Sequence, residues 1–221
     1  MKRKLVTICS VLLLLVVTAP SQARKKRGKK KKKENITKII SKKDFLKAVE
    51  KLAEDERVPV ASSTLVEKGR GEDFYSVDKM LDEDPETFWA EGGKGWGKKA
   101  WVAFYVPEGT THVEITPGAG KEQFENFNRP RQVFFDIYLI KIKKKDNGEK
   151  KTTFKWLGRT VFNFKDKPVP VRRKLKVKLP ELVMAERTMY VGVLLFRKVY
   201  RGQFDDTAIA TFRTHSLWGE Q

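Results

Sequence analysis

The sequence predicts an all-β sandwich that follows one helix and a basic arm, and three observations predict it. From residue 58 onward, short apolar or alternating segments follow one another, separated by turns rich in Gly, Pro and Asp. One stretch with the helical spacing of apolar residues precedes them. With 221 residues, 40% of them hydrophobic, the chain is long enough and apolar enough to bury one core.

The first segment, Met1–Ala23, has the layout of a secretory signal peptide. Lys2–Lys4 is its basic start, Leu5–Val17 is largely apolar, and the segment ends on a small residue. The apolar run is shorter than the about 20 residues that span a bilayer. We therefore expect a secreted or cell-envelope protein. The one cysteine, Cys9, lies in this segment, which excludes a cysteine nucleophile or a cysteine zinc site in the mature chain.

The next segment, residues 24–40, is a Lys/Arg-rich arm that we expect to be disordered. Arg24–Lys33 holds nine cations in ten residues, and the whole chain carries a net charge of +19. Positive charge beside a signal opposes translocation, so an N-terminally membrane-anchored protein is the alternative. The arm is either a solvated spacer or a binding segment for a polyanion such as anionic lipid or glycan.

Residues 41–54 are predicted to form one helix. Ser41 can cap its N-terminus, and Asp44 follows three residues later in a capping-box-like arrangement. The helix either packs on the following domain or binds a partner. Its apolar residues at helical spacing are Phe45, Leu46, Val49, Leu52 and Ala53.

The predicted β domain covers residues 58–217. Lys174–Leu179 alternates between lysines and apolar residues, Met189–Phe196 is apolar enough to be a central strand, and Asp146–Gly148 is a hairpin turn signal. The predicted strand segments are Val58–Leu65, Trp101–Val106, His112–Thr116, Gln132–Lys144, Lys151–Phe164, Lys174–Leu179, Met189–Phe196 and Thr207–Thr214.

The stretch from Val60 to Trp101 carries the most specific pattern in the chain. The segment Ala61–Ser63 precedes a turn of the form Asp-x-Asp-Pro-x-Thr-x-Trp at Asp82–Trp89. Four later motifs accompany it in order: Gly95–Val102, Gly118–Lys121, Asn128-Arg129, and the pair Tyr200–Gly202 with Asp206–Ile209.

Together these motifs resemble a discoidin, or coagulation factor 5/8 type C, domain, over roughly residues 58–217. The resemblance is closest to the translocation or glycan-binding domain of bacterial NAD glycohydrolase. It implies a jelly-roll sandwich of the galactose-binding-like class. Two positions depart from the pattern: Thr211 stands where an acidic residue is expected, and Ala119 stands where an aromatic often lies between two glycines. The second change would weaken ligand stacking.

We expect a non-catalytic protein. The NAD-cleaving activity of the resembled protein belongs to a separate catalytic domain. The chain has two histidines, His112 and His215, and no sequence motif pairs either with a nucleophile.

Five residues are candidates for ligand binding. Trp96, between two glycines in a short loop, either packs against the C–H face of a sugar or plugs the end of the sandwich. Arg129 is placed to clamp a ligand carboxylate with two hydrogen bonds. Alternatively, the loop side chains only tie down their own loop. The candidates are Trp96, Lys121, Asn126, Asn128 and Arg129.

Other residues of the pattern have predicted structural roles. Trp89 and Trp101 are expected in the core. Asp78, Asp82 and Asp84 offer carboxylate oxygens to a structural Ca²⁺ ion, which the resemblance also implies near this turn. The alternative is that these carboxylates only stabilise the turn by hydrogen bonds.

The predicted function is therefore carbohydrate binding at the loop end of the sandwich. The alternative is an adaptor for polyanions or membrane surfaces that acts through the basic arm. A specific nucleic-acid partner is not expected.

Overall fold

The computed structural model describes residues 40–144, 146–182 and 187–216. The predicted signal segment and residues 24–39 of the predicted basic arm lie outside these residues. Ile40, the last residue assigned to the arm, is instead buried in the same apolar cluster as the helix that follows it. No helix in these ranges is long and apolar enough to cross a membrane. A short 3-10 helix covers Val77–Met80. The other elements are α1 (Lys42–Glu54), β1 (Val60–Ala61), β2 (Trp89–Ala90), β3 (Trp101–Val106), β4 (Thr110–Pro117), β5 (Arg129–Lys144), β6 (Lys150–Asn163), β7 (Val171–Lys174), β8 (Arg187–Tyr200) and β9 (Ala208–Ser216).

The strands form two antiparallel sheets, as the predicted β-sandwich requires. The five-stranded sheet has the order β1-β3-β8-β5-β6, and the four-stranded sheet has the order β2-β9-β4-β7. The apolar β8 is central, as its sequence predicts. Residues of both sheets share one core, in which Phe104 of β3 stacks on Phe212 of β9 at 4.1 Å between ring centroids.

Helix α1 covers the outer face of the five-stranded sheet. It begins as predicted, because Ser41 Oγ accepts a hydrogen bond from the Asp44 backbone N–H at 3.0 Å. Its buried face packs on the sheet, with the Phe45 ring centroid 5.0 Å from that of Tyr138 and 5.2 Å from that of Phe154. The helix is thus part of the folded domain, which favours the packing role over partner binding.

Two predicted strands are shorter than expected. The segment Val58–Leu65 contributes only Val60 and Ala61, which form β1. The segment Lys174–Leu179 contributes only its first residue to β7. Beyond it, the Leu175 N–H still bonds the Thr111 carbonyl at 2.8 Å, but the Lys176 N–H donates to Thr160 Oγ1 of β6 at 3.2 Å. The chain therefore leaves the four-stranded sheet and bridges to the edge of the other one.

Two tryptophans are held in different cores. Trp89, on β2, is fully buried between the sheets, and its indole N–H donates to the Ser63 carbonyl at 3.2 Å. Trp101, at the start of β3, is 8% exposed and belongs to the cluster beneath α1 rather than to the core between the sheets.

Candidate functional site

Four chain segments meet at one end of the sandwich, which we call the loop end. They are residues 62–76, 91–99, 118–128 and 200–207. Backbone hydrogen bonds join the last two: the Phe204 N–H donates to the Asn126 carbonyl at 2.7 Å, and the Asn128 N–H donates to the Asp206 carbonyl at 2.9 Å. The predicted candidate residues all lie in these loops or at their margin.

Trp96 is half-buried and fixed by its neighbours. Its indole N–H donates to Asp205 Oδ1 at 2.8 Å. The guanidinium of Arg201 lies over its ring, with Cζ 3.4 Å from the ring centroid. A second cation, Lys98 Nζ, is 5.3 Å from the centroid. The ring is therefore held rigidly beside two positive charges, and the guanidinium covers part of it.

The backbone around Trp96 is unusual. Its own φ is 57°, and Gly95 and Gly97 on either side have φ of 109° and 66°. Left-handed backbone is uncommon for a bulky residue. Gly97 is also required by space, because a Cβ there would lie 2.5 Å from Thr207 Oγ1. The two glycines thus permit a tight loop that presses against the start of β9.

Asn128 holds the loop end together from inside. It is fully buried. Its side-chain N–H donates to the Asp205 carbonyl at 2.6 Å, and its side-chain oxygen accepts from the Gly202 N–H at 2.9 Å. Both ends of the amide are occupied by the segment that also carries the partners of Trp96. The Asn128 amide is therefore engaged within the protein, which favours the alternative that it ties down its own loop.

Arg129 is engaged by the protein itself, which favours the loop-tying alternative over a clamp for a ligand carboxylate. It is 7% exposed, and its Nε and Nη2 donate to the two oxygens of Asp166 at 2.9 and 2.8 Å. Its Nη1 donates to the Phe127 and Arg201 carbonyls at 3.2 and 2.8 Å. The Arg129 guanidinium is already paired with a carboxylate of the protein, as expected of a residue that stabilises the loop.

The remaining two candidates are more accessible. Asn126 is half-buried, and its side-chain N–H donates to Gln123 Oε1 at 2.6 Å. Lys121 is exposed. Within the part of the chain that the structure describes, neither side chain forms a hydrogen bond with Trp96. The structure thus joins Trp96 to Asn128 through Asp205, and leaves Lys121 and Asn126 on a neighbouring loop.

A row of aromatic rings crosses the loop end, and the sequence analysis missed it. Its centre is buried, and both terminal rings are exposed: Phe74 by 44% and Phe204 by 48%. The row runs Phe74, Tyr75, Phe88, Phe127, Phe204, with neighbouring centroids 4.7, 5.4, 5.0 and 5.3 Å apart. Phe204 lies next to Asp205 in sequence, so the row ends close to the acceptor of Trp96.

Glu91 is a buried carboxyl under the Trp96 loop. It is 2% exposed, and its Oε2 accepts from the Gly93 N–H at 2.9 Å. Burial raises the pKa of this carboxyl above its ordinary value. Among the described residues, its Oε1 and the nearby Thr207 Oγ1 have no hydrogen-bond partner.

The Asp-rich turn is held by its own hydrogen bonds. The Thr87 hydroxyl lies 2.8 Å from both oxygens of Asp82, and Asp84 Oδ1 accepts from the Glu86 N–H at 2.9 Å. Asp78 belongs to the 3-10 helix before the turn. In the described ranges, no three His, Cys, Asp or Glu residues form a group that could hold a metal ion. The geometry therefore fits the turn-stabilising role better than a carboxylate cage for Ca²⁺.

The two histidines lie far from the loop end, on the four-stranded sheet. His112 of β4 is opposite His215 of β9 in the strand register. Burial lowers the pKa of His112, and the charges of Arg172 and Lys174 lower it further. His215 Nε2 is 3.8 Å from Glu114 Oε2.

Comparison with known proteins gives matches to solved structures only. No protein-family model matches this chain, and no curated protein sequence matches it either. One structural match is the arabinofuranosyltransferase AftD from Mycobacteria, with 13% identity and a TM-score of 0.46. It covers 73% of this chain and 11% of that protein, so the present chain spans about a tenth of its length.

Two smaller matches are single domains. An F5/8 type C domain from Bacteroides fragilis has 13% identity and a TM-score of 0.38, covering 72% of this chain and 92% of that one. A family 32 carbohydrate-binding module from Clostridium perfringens, in complex with GlcNAc-α-1,4-galactose, has 12% identity and a TM-score of 0.31, covering 72% and 90%. The structural neighbours thus include the discoidin-like domains that the sequence resembles. Neither is an NAD glycohydrolase, so that closer resemblance stays a prediction.

Proposed function

We propose that this protein is an exported, non-catalytic carbohydrate-binding module that holds a glycan at the loop end. The observation that carries the proposal is the set of exposed or half-exposed aromatic rings there, Phe74, Trp96 and Phe204, beside polar side chains. Small-molecule sites combine aromatic surface with a few fixed polar groups, and the loop end has both.

The chemistry of the loop end suits a sugar. A pyranose has an apolar C–H face, which packs on an aromatic ring, and a rim of hydroxyls. Arg201 offers hydrogen-bond donors and Asp205 offers acceptors at the edge of Trp96. Because Trp96 is already held by these two residues, little side-chain freedom would be lost on binding. Asn126 and Lys121 supply further polar groups on the next loop.

The absence of catalysis and the export of the protein are part of the proposal. The non-catalytic assignment is supported by the sequence, which pairs neither histidine with a nucleophile. The signal-like pattern of Met1–Ala23 supports export. N-terminal sequencing of the protein recovered outside the cytoplasm tests it: a start at Arg24 is expected, and an intact Met1 with the protein held in a membrane fraction would favour the anchored alternative.

A glycan array with the full chain and three variants tests the binding site. Trp96→Ala and Phe204→Ala each remove a ring of the loop end. Trp156→Ala is the matched control, because Trp156 is 46% exposed but lies on β6, away from the loop end. We expect each loop-end substitution to weaken binding about fivefold, since a ring contact contributes on the order of 1 kcal/mol.

The control should bind as the wild type does. Circular dichroism of all variants separates loss of binding from loss of folding. Binding that survives both loop-end substitutions, or that falls equally in Trp156→Ala, would refute the loop end as the site. No binding to any glycan by the folded wild type would refute the function itself.

A second candidate function rests on the arm. Arg24–Lys33 concentrates nine cations in ten residues, which favours a polyanion or an anionic membrane surface as partner. This function predicts steep weakening with salt and loss of binding to anionic vesicles when the arm is deleted. Glycan binding at the loop end should survive both treatments.

A further inference from the structure

A row of unpaired cations lies along β7 and the segment after it, on the side of the sandwich. We call it the basic ridge: Arg172, Lys174, Lys176 and Lys178, with Arg173 on the other face of β7, opposite the buried Val113. All five side chains are exposed. None of them forms a side-chain hydrogen bond or ion pair with any residue of the described ranges, whereas the buried arginines of this domain are paired, as Arg129 is with Asp166.

The nearest acid in the register does not neutralise the ridge. Glu114 of β4 is opposite Arg172, yet its Oε2 lies 3.8 Å from His215 Nε2 on the other side. His112 of β4 is opposite Lys174. Five like charges within seven residues repel one another, and no acid of the described chain forms an ion pair with them. Such an arrangement attracts an external anion.

The lysines of the ridge are held in a fixed outward row. Leu175 is buried, and Val177 and Leu179 pack against the core between the sheets. The exposed lysines alternate with these apolar residues, and the backbone bends at Lys176 and Val177. The segment is anchored on both sides, to Thr111 of β4 and to Thr160 of β6. The backbone that carries the lysines is thus held by apolar packing and by hydrogen bonds to both sheets.

A groove lies beside this row. It has a volume of about 880 Å³ and is bordered by the whole of residues 174–181 and by the β3–β4 turn, residues 108–111. Two acids also line it, Glu108 and Glu181. Glu108 is engaged within the protein, because its Oε1 accepts from the Leu182 N–H at 2.9 Å.

We propose that the basic ridge and its groove form a second binding site, for a linear polysaccharide that carries sulfate or carboxylate groups. Three lysines along one groove fit a chain that carries several anionic groups. None of the residues that line the groove is aromatic. A single-stranded nucleic acid usually stacks its bases on aromatic side chains, so the lining disfavours that partner. This site is distinct from the loop end and needs no aromatic ring.

The test measures binding of the full chain to heparin, a sulfated polysaccharide, and to polygalacturonate, a carboxylated one. The ridge variant combines Lys174→Gln, Lys176→Gln and Lys178→Gln. The control variant removes the same charge from one exposed face of α1, with Lys43→Gln, Lys47→Gln and Lys51→Gln. At the midpoint of measured values, one exposed ion pair changes affinity about threefold. The ridge variant lacks three such charges, so we expect it to bind about 20-fold more weakly than the wild type.

The control variant should lose no more than about threefold, through its lower net charge alone. Equal losses in both variants would show that only total charge matters and would overturn the proposal. Unchanged binding in the ridge variant would assign the affinity to the basic arm and overturn it as well. Tighter binding of single-stranded DNA than of either polysaccharide, lost in the ridge variant, would refute the partner class. Equal thermal unfolding of the three proteins checks that the substitutions leave the fold intact.

The outcome is independent of the proposed function. The ridge variant keeps Trp96 and Phe204, so its binding to an uncharged glycan should match that of the wild type. The loop-end variants, in turn, should bind heparin as the wild type does.

Discussion

Substitution of Arg129 by alanine should destabilise the protein, because this side chain ties three segments together. Its guanidinium makes two hydrogen bonds to Asp166 and one each to the Phe127 and Arg201 carbonyls. It also lies over the ring of Phe124, with Cζ 5.2 Å from the centroid. Alanine removes all of these contacts at once and leaves two backbone carbonyls without their donor.

The size of the effect follows from the burial of the pair. Removing one partner of a fully buried ion pair costs about 3–5 kcal/mol. The Asp166 side chain remains 41% exposed and can be rehydrated, which argues for a smaller loss. We therefore expect about 2–3 kcal/mol in the free energy of unfolding. For a chain of this size, that lowers Tm by roughly 4–12 °C.

Urea unfolding of the wild type, Arg129→Ala, Asp166→Ala and the double variant measures both the loss and the coupling. Asp166→Ala should cost less, about 1 kcal/mol, because the carboxylate it removes is partly solvated. The two losses should not add, since each variant already breaks the same pair. A Tm for Arg129→Ala within about 1 °C of the wild type, together with lost glycan binding, would refute the structural role and restore the ligand clamp.

Three further predictions concern the loop end and the Asp-rich turn. Because burial raises the pKa of Glu91, ionisation of this carboxyl destabilises the fold as pH rises through that pKa. Glu91→Gln should therefore be more stable than the wild type near neutral pH and should lose that advantage below about pH 4. Urea titrations at both pH values measure the difference. Gly97→Ala should lower the free energy of unfolding by about 1–2 kcal/mol because alanine is strained in left-handed backbone, and by a further amount because its Cβ would overlap Thr207. Gly148→Ala is the control, since Gly148 has φ of 83° and open space around it and should show the backbone strain alone. The Ca²⁺ site at Asp82–Asp84 stays a prediction, which differential scanning calorimetry tests. Because the turn is held by its own hydrogen bonds, we expect EDTA to leave Tm unchanged. A rise in Tm with added Ca²⁺ would establish the metal.

Most of the fold could be predicted from the sequence because its signals are local. The apolar run of β8 predicts a central strand, and the Asp-Asn-Gly turn predicts the β5–β6 hairpin; the structure confirms both. Ser41 caps α1 as its position before an amphipathic run indicates. The short β2 at Trp89–Ala90 was missed, since two residues give no alternation to detect. The early end of β7 was missed because alternation persists after the chain leaves the sheet.

The site was harder to predict, because the direction of a loop side chain is set by partners far along the chain. An Asn-Arg pair in a polar loop can face a ligand or its own protein. Here Arg129 forms hydrogen bonds with Asp166, and Asn128 forms hydrogen bonds with Gly202 and Asp205. No local pattern connects residues so distant in sequence.

Two features of the loop end left a weak signal that could have been used. Arg201 lies between Tyr200 and Gly202, in a segment already singled out by its resemblance, and it covers the ring of Trp96. Phe204 follows in a stretch of polar residues, where a large apolar side chain has little chain to cover it. An isolated aromatic in a polar loop is thus a better sign of exposed ring surface than an aromatic between glycines.

The packing of α1 determines where the protein can be shortened. Phe45, Val49 and Leu52 are each fully buried against the five-stranded sheet, and burial of such side chains contributes about 2 kcal/mol apiece. Their sum approaches the whole stability of an ordinary domain, about 5–15 kcal/mol. A fragment that begins at residue 58 would expose the apolar strand surface beneath the helix and should aggregate. The smallest fragment that keeps this packing therefore starts before Ser41, so α1 belongs to the minimal folded domain and is not a dispensable extension of it.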